Sequence, residues 1–208
     1  MAWCDSQTWL LNALRQDWYR HLLDATSMEP VSSGERLKIL RPNAMPWELS
    51  RQGILKHLFN EKLQSHVEPV DAYMLVIPPG SRSGKHRHLG DESLYVAEGD
   101  GYVLYQDCDV EITDAYRWKQ QDEVKRHDWK TGDVFYIPPN TVHQYFNSDP
   151  ERPARLISAT SCIYQKLGLN DIQQLEDAPE YRPGVVLNND NVVNFMKAGR
   201  KKTGTLGA

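Results

Sequence analysis

Short runs of alternating apolar and polar positions, cut by Gly and Pro, dominate the middle of this chain. Asp71 to Pro78 reads as a strand that ends at the turn signal Pro78-Pro79-Gly80. Ser93 to Glu98 reads as the next strand, Gly99-Asp100-Gly101 reverses it, and Tyr102 to Gln106 runs back. Val134 to Ile137 is an apolar strand broken by Pro138-Pro139-Asn140, and Thr141 and Val142 begin a return strand that carries His143. Arg155 to Ile163 is the last good strand. Many short strands joined by Gly/Pro turns predict an all-β sandwich or barrel.

The flanks follow other periods. Trp9, Leu10, Ala13, Leu14, Trp18 and Leu22 recur at helical spacing and predict an amphipathic helix over residues 6–23, with Ser6 as N-cap. Arg36 to Leu40 reads as a strand, Pro42 and Pro46 break the chain, and a short helix is expected around Ile54 to Phe59. Asn170 to Leu175 reads as a short helix. The polar end, from Gly199, is small, basic and expected to be mobile, and residues 190–196 offer apolar side chains to a neighbour. The expected organisation is an N-terminal helix and irregular or strand extension over 1–70, a barrel over 71–165, and a C-terminal helix and tail over 166–208.

Composition narrows the function classes. The chain has 208 residues, 40% of them hydrophobic, and a net charge of -4. That suits one domain with a proper core and is a poor match to nucleic acid. No apolar run approaches membrane-spanning length, and the first residues lack the basic and apolar regions of a signal peptide, so a cytoplasmic protein is expected. Cys4, Cys108 and Cys162 are odd in number and widely spaced, which argues for reduced thiols.

The chemistry concentrates between Gly80 and Gly99. Residues two apart on a strand share a face, so His86 and His88 aim at one point; Glu92 has the same parity, and Gly90 lets the backbone bend between them. His143 on the later strand adds a third imidazole. Three imidazoles and one carboxylate suit a divalent first-row metal, and nitrogen and oxygen donors without thiolate favour Fe(II) or Mn(II), with Ni(II), Co(II), Cu(II) and Zn(II) as alternatives. Four protein ligands leave positions open for exchange, unlike a closed structural site. His57 and His66 lie outside this pattern and are read as non-ligands.

These stretches resemble the cupin superfamily. Gly80, His86, His88, Glu92 and Gly99 match the first motif, G-x5-H-x-H-x3-E-x6-G. Gly132, Pro138, His143 and Asn147 match the second, G-x5-P-x-G-x2-H-x3-N, with Asn140 where the family usually has Gly; Asn tolerates the left-handed backbone that turn needs. The resemblance implies a double-stranded β-helix, a jelly-roll barrel, with one metal centre held by His86, His88, Glu92 and His143. It also implies a homodimer. The activity it suggests first is a non-haem Fe(II) dioxygenase acting on a small organic substrate and O2, with Glu92 and Tyr145 as catalytic candidates and Tyr95, Arg82 or Arg155 orienting an anion. The alternatives are an O2-independent decarboxylase, isomerase or lyase, and a binding module without turnover. The connection between the motifs is longer than cupins commonly have. Val110 to Lys130 reads as a solvated loop or extended hairpin, or as a lid bearing Tyr116, Trp118, Trp129 and His127.

Overall fold

The computed structural model describes residues 38–63, 69–169 and 172–197. The helix expected over 6–23, His66 and the tail from Gly199 lie outside them. Thirteen strands run through the described residues: β1 (Trp47–Ser50), β2 (Gly53–Phe59), β3 (Val70–Ile77), β4 (Lys85–His88), β5 (Glu92–Glu98), β6 (Asp100–Gln106), β7 (Cys108–Ile112), β8 (Tyr116–Gln120), β9 (Lys125–Lys130), β10 (Val134–Ile137), β11 (Val142–Asn147), β12 (Ala154–Ser161) and β13 (Ile172–Glu176). Two short α-helices, α1 (Ile163–Lys166) and α2 (Val192–Met196), and a 3-10 turn at Pro42–Ala44 complete them.

The strands form a six-stranded sheet in the order β1-β2-β3-β12-β5-β10 and a five-stranded sheet in the order β13-β4-β11-β6-β9. A separate hairpin pairs β7 with β8. This is an all-β barrel, as the turn pattern predicts, and the jelly-roll architecture that the resemblance implies. The crossings that define it, β12 between β3 and β5 and β11 between β4 and β6, join strands far apart in sequence.

The barrel interior is filled by Leu55, Leu75, Ile77, Leu94, Val96, Val103, Trp129, Ile137, Tyr145 and Leu156. Each fully buried aliphatic side chain among them contributes about 1.5–3 kcal/mol. A second cluster covers the outside of the first sheet: Leu49, Ile54 and Val76 pack with Leu187 and Val192, joined by Phe195 and Met196. Strand β3 is therefore apolar on both faces, with Leu75 turned to the barrel and Val76 to the outer cluster.

Three expectations need correction. Ile54 to Phe59 is strand, not helix, and pairs with both β1 and β3. Its apolar run reflects burial on both faces, since Ile54 packs outward and Leu55 inward. Of the helix expected over Asn170 to Leu175, the described residues 172–175 are likewise strand, part of β13, drawn into the second sheet by pairing with β4. Residues 38–40 form no strand. Within residues 190–196, α2 buries Val192 in the outer cluster of its own chain and leaves Val193 exposed.

The long connection is an extended hairpin. Val110, Ile112 and Trp118 on it are exposed, whereas Trp129 belongs to β9 and lies in the barrel core. Among the described residues, no helix is long and apolar enough to cross a membrane. Cys108 and Cys162 are free thiols.

Candidate metal centre

Strand parity delivers the imidazoles. On β4 the burial alternates, so Lys85 and Arg87 face outward while His86 and His88 are buried. His143 on β11 is the register partner of His86, which sets two imidazoles side by side. Glu92 opens β5 in the opposite sheet and is fully buried. The two sheets thus contribute three imidazoles and one carboxylate to a single point inside the barrel. The nearest ligand-type atoms of His86, His88, Glu92 and His143 all lie within 4.8 Å of one another.

Turn chemistry fixes the strand ends. Asn140 takes φ 60°, the left-handed conformation its position requires. Its N–H donates to His88 O at 2.8 Å and its side chain accepts from Arg87 Nη1 at 2.8 Å. Asn140 therefore ties the turn before β11 to the strand that carries two of the imidazoles. Gly99, at φ 96°, closes the first motif where a Cβ would sit 2.9 Å from Ala154 Cβ. Asn147 donates to the carbonyls of Ile77, Pro78 and Arg152, which anchors the far end of β11.

Every imidazole is oriented by its Nδ1. His86 Nδ1 meets Gly84 O at 3.3 Å, His88 Nδ1 meets Gly90 O at 2.6 Å, and His143 Nδ1 meets Thr141 O at 2.9 Å. A carbonyl only accepts, so each ring donates from Nδ1–H and turns Nε2, the atom that ligates when the ring is neutral, to the centre. His86 Nε2 and His143 Nε2 are buried without a hydrogen-bond partner. Orphaned acceptors aimed at one another are costly unless a cation satisfies them. The donor set therefore fits a divalent metal.

The carboxylate is held as firmly. Glu92 Oε2 lies 3.3 Å from both His88 Nε2 and His143 Nε2 and accepts from Tyr145 Oη at 2.9 Å. Glu92 Oε1 accepts from Tyr73 Oη at 3.2 Å and from Ser158 Oγ. Burial alone would raise the Glu92 pKa, but the adjoining imidazoles of His143 and His88 outweigh it and hold the group well below the usual carboxylate value. Burial, reinforced by the neighbouring His143, pushes His86 well below the usual imidazole value, which keeps it neutral and ready to ligate. For His88 burial acts downward, yet the Glu92 carboxylate and the Gly90 carbonyl carry it above that value. Tyr145 and Tyr73 are raised well above the phenol value, chiefly by burial and then by the Glu92 charge, so both stay protonated as donors.

A cavity of about 470 Å³ adjoins the centre. His88 and Tyr73 form its inner wall, and Leu55, Leu89 and Ile172 give it an apolar body. The residues proposed from sequence to orient an anion lie elsewhere: Arg82 and Tyr95 are exposed, and Arg155 pairs with Glu98. Tyr145 is buried against Glu92 and His143 and does not line the cavity. Nor does any residue of the β7–β8 hairpin. His127 bonds Tyr105 and borders a different cavity, on the side of Phe135 and Tyr136. Sequence reasoning missed Tyr73 and Ser158. Ser158 had a signal, since it continues the inward phase of Ala154 and Leu156 with a hydroxyl where an apolar residue would be expected.

A β-barrel that gathers a buried three-histidine, one-carboxylate cluster defines a class of metal-binding jelly rolls. A family model for cupins matches residues 59–162, half of the chain, and the chain belongs to the cupin family. No curated protein matches it. Among solved structures it is similar to Bacillus subtilis oxalate decarboxylase, a protein with Mn(II) centres, at 19% identity and a TM-score of 0.42, covering 56% of this chain and 27% of that one. A vicilin from tomato, Solanum lycopersicum, is similar at 15% identity and a TM-score of 0.47, covering 65% and 34%. A variant of salicylate 1,2-dioxygenase from Pseudoaminobacter salicylatoxidans, solved with gentisate, is similar at 12% identity and a TM-score of 0.44, covering 58% and 28%. The chain spans about a third or less of the length of each.

Proposed function

We propose that this cupin is a metal-dependent enzyme, a non-haem Fe(II) dioxygenase acting on a small organic molecule that enters by the cavity beside His88. The observation that carries the reading is the outward tethering of all three Nδ1 atoms, which leaves three Nε2 atoms and one Glu92 oxygen turned to a common point. His86, His88, Glu92 and His143 would hold the ion. Fe(II) there would supply redox chemistry toward dioxygen and Lewis acidity toward a substrate oxygen.

The chain's own residues do the rest. Glu92 carries three hydroxyl donors, which favour its charged form and make it a fixed ligand rather than a mobile base. Tyr145 and Ser158 position that carboxylate. Tyr73 differs from them because it reaches both the cavity and the ligand. Its single proton serves Glu92 Oε1 or Gln52 Oε1, the latter at 3.0 Å, one at a time. Leu55, Leu89 and Ile172 exclude water from the substrate's body.

The test is oxygen uptake by anaerobically prepared Fe(II) protein challenged with small hydroxy and carboxylate compounds. The expected result is O2 consumed in step with substrate, absent without iron and absent in His143→Ala. Turnover at an undiminished rate without O2 contradicts the dioxygenase reading.

A further inference from the structure

The cavity beside His88 holds a second polar group that the metal centre does not use. His57 on β2 and Glu48 on β1 both line it, and His57 Nε2 lies 2.6 Å from Glu48 Oε2. Asp71 on β3 lines it as well. His57 Nδ1 and Asp71 Oδ1 are buried and have no hydrogen-bond partner. A native fold keeps few such atoms, and two of opposite hydrogen-bonding character, on residues that line one cavity, call for a polar partner. The position is telling. His57 is the register partner of Tyr73, so the two stand side by side on the inward face, and the Tyr73 hydroxyl touches Glu92. The pair is thus one side chain, Tyr73, removed from the metal ligand Glu92.

We propose that His57 and Asp71 form a subsite for a substrate hydroxyl. A molecule that meets the metal with an oxygen at one end would present, at the other, a hydroxyl that accepts from His57 Nδ1–H and donates to Asp71 Oδ1. Glu48 is the positioning residue that sets the imidazole. The inference rests on the metal-centre reading above and adds the substrate class to it.

Charge supports a neutral group here. The Glu48 hydrogen bond lifts the His57 pKa above its ordinary value, against burial, which favours a proton on both ring nitrogens. The groups facing His57 are Glu48 from β1, Asp71 and Tyr73 from β3, and Cys162 after β12, with Glu61 and Lys62 beyond. Two carboxylates against one imidazolium disfavour a second anionic group on the ligand, whereas a hydroxyl satisfies donor and acceptor together.

The experiment uses rigid probes on the full chain loaded with Ni(II), its metal content measured first. Benzoate, 3-hydroxybenzoate, 4-hydroxybenzoate and terephthalate are titrated calorimetrically. One hydroxybenzoate should bind at least about 10-fold tighter than benzoate, the gain of a satisfied buried pair, and terephthalate should not. In His57→Phe and in Asp71→Leu the ratio of hydroxybenzoate to benzoate affinity should fall below about twofold, with metal content unchanged. Should His57→Phe fail to fold, His57→Gln, whose amide reaches Glu48 as Nε2 does but leaves no donor at the Nδ1 position, carries the same expectation. A metal-loaded chain that shows no hydroxyl advantage, binds none of the probes, or keeps the advantage in the His57 variant overturns the subsite alone. A chain that takes up no metal overturns the metal-centre reading and the subsite with it.

Discussion

Replacing Tyr145 by Phe removes one oxygen atom from a side chain that is 1% exposed and leaves its ring in place. The lost group is the hydroxyl that donates to Glu92 Oε2 at 2.9 Å. Oε1 keeps its donors from Tyr73 and Ser158, so the carboxylate stays buried and charged with one bond fewer. A hydrogen bond to a charged group is worth about 1.5–3 kcal/mol. For a domain of this size that lowers the melting temperature of the metal-free protein by about 3–12 °C. The oxygen concerned is the one that faces the His88 and His143 Nε2 atoms, so loss of its orientation should also weaken metal binding, by about 10–100-fold as for other outer partners of a ligand. Circular dichroism melts without metal, and titration against a competing chelator, read the two effects. Tyr105→Phe is the control: its hydroxyl makes an exposed bond to His127 and none to Glu92. A Tyr145→Phe protein that behaves like Tyr105→Phe in both assays refutes the coupling of this hydroxyl to Glu92.

Other outcomes follow from the same geometry. His88 sits above the usual imidazole value in the metal-free protein, so a divalent ion must displace its proton; metal affinity should rise about tenfold per pH unit while pH is below the His88 pKa and level off above it, as titration from pH 5 to 9 will show. The Glu48–His57 pair has one raised and one lowered partner. The His57 part is fully present below 6.5 and lost as pH rises through its raised value, and the Glu48 part is present above 4.5 and lost as pH falls through its lowered value. Urea melts of His57→Gln against wild type should therefore show the largest deficit between those limits, below about 1 kcal/mol because Glu48 is half exposed, and a shrinking one at high pH. Gly101→Ala should fail to fold at 37 °C, because its Cβ would lie 1.9 Å from Phe146 O and 2.6 Å from the Trp129 ring; a soluble, cooperatively melting Gly101→Ala protein contradicts the close pairing of β6 and β11.

The four clustered side chains were readable in the sequence because a strand's period of two is local. His86 and His88 share a face wherever the strand goes, and the turn residues around Gly90 and Asn140 announce where the backbone bends. Tyr145 could be picked out because it shares a strand and a phase with His143, but its convergence with Tyr73 and Ser158 on Glu92 was not readable, since the three strands pair nonlocally. The same cause explains β2 and β13. Ile54, Leu55, Leu58 and Phe59 fall at spacings that suit a helix, but the outer cluster covers one face of this strand and the barrel fills the other. Strand β13 owes its conformation to main-chain pairing with β4, where Ile172 meets His88, and a local window over 170–175 does not contain that partner. His57 read as a bystander because it belongs to neither motif; only the fold brings it to the wall of the cavity beside His88.

Anomalous diffraction from crystals of the protein purified under reducing conditions puts the metal centre to its most direct trial. One ion per chain is expected between the two sheets, bound by Nε2 of His86, His88 and His143 and by Oε2 of Glu92. An ion bound anywhere else, or protein incubated with Fe(II) whose imidazoles still bind none, contradicts it.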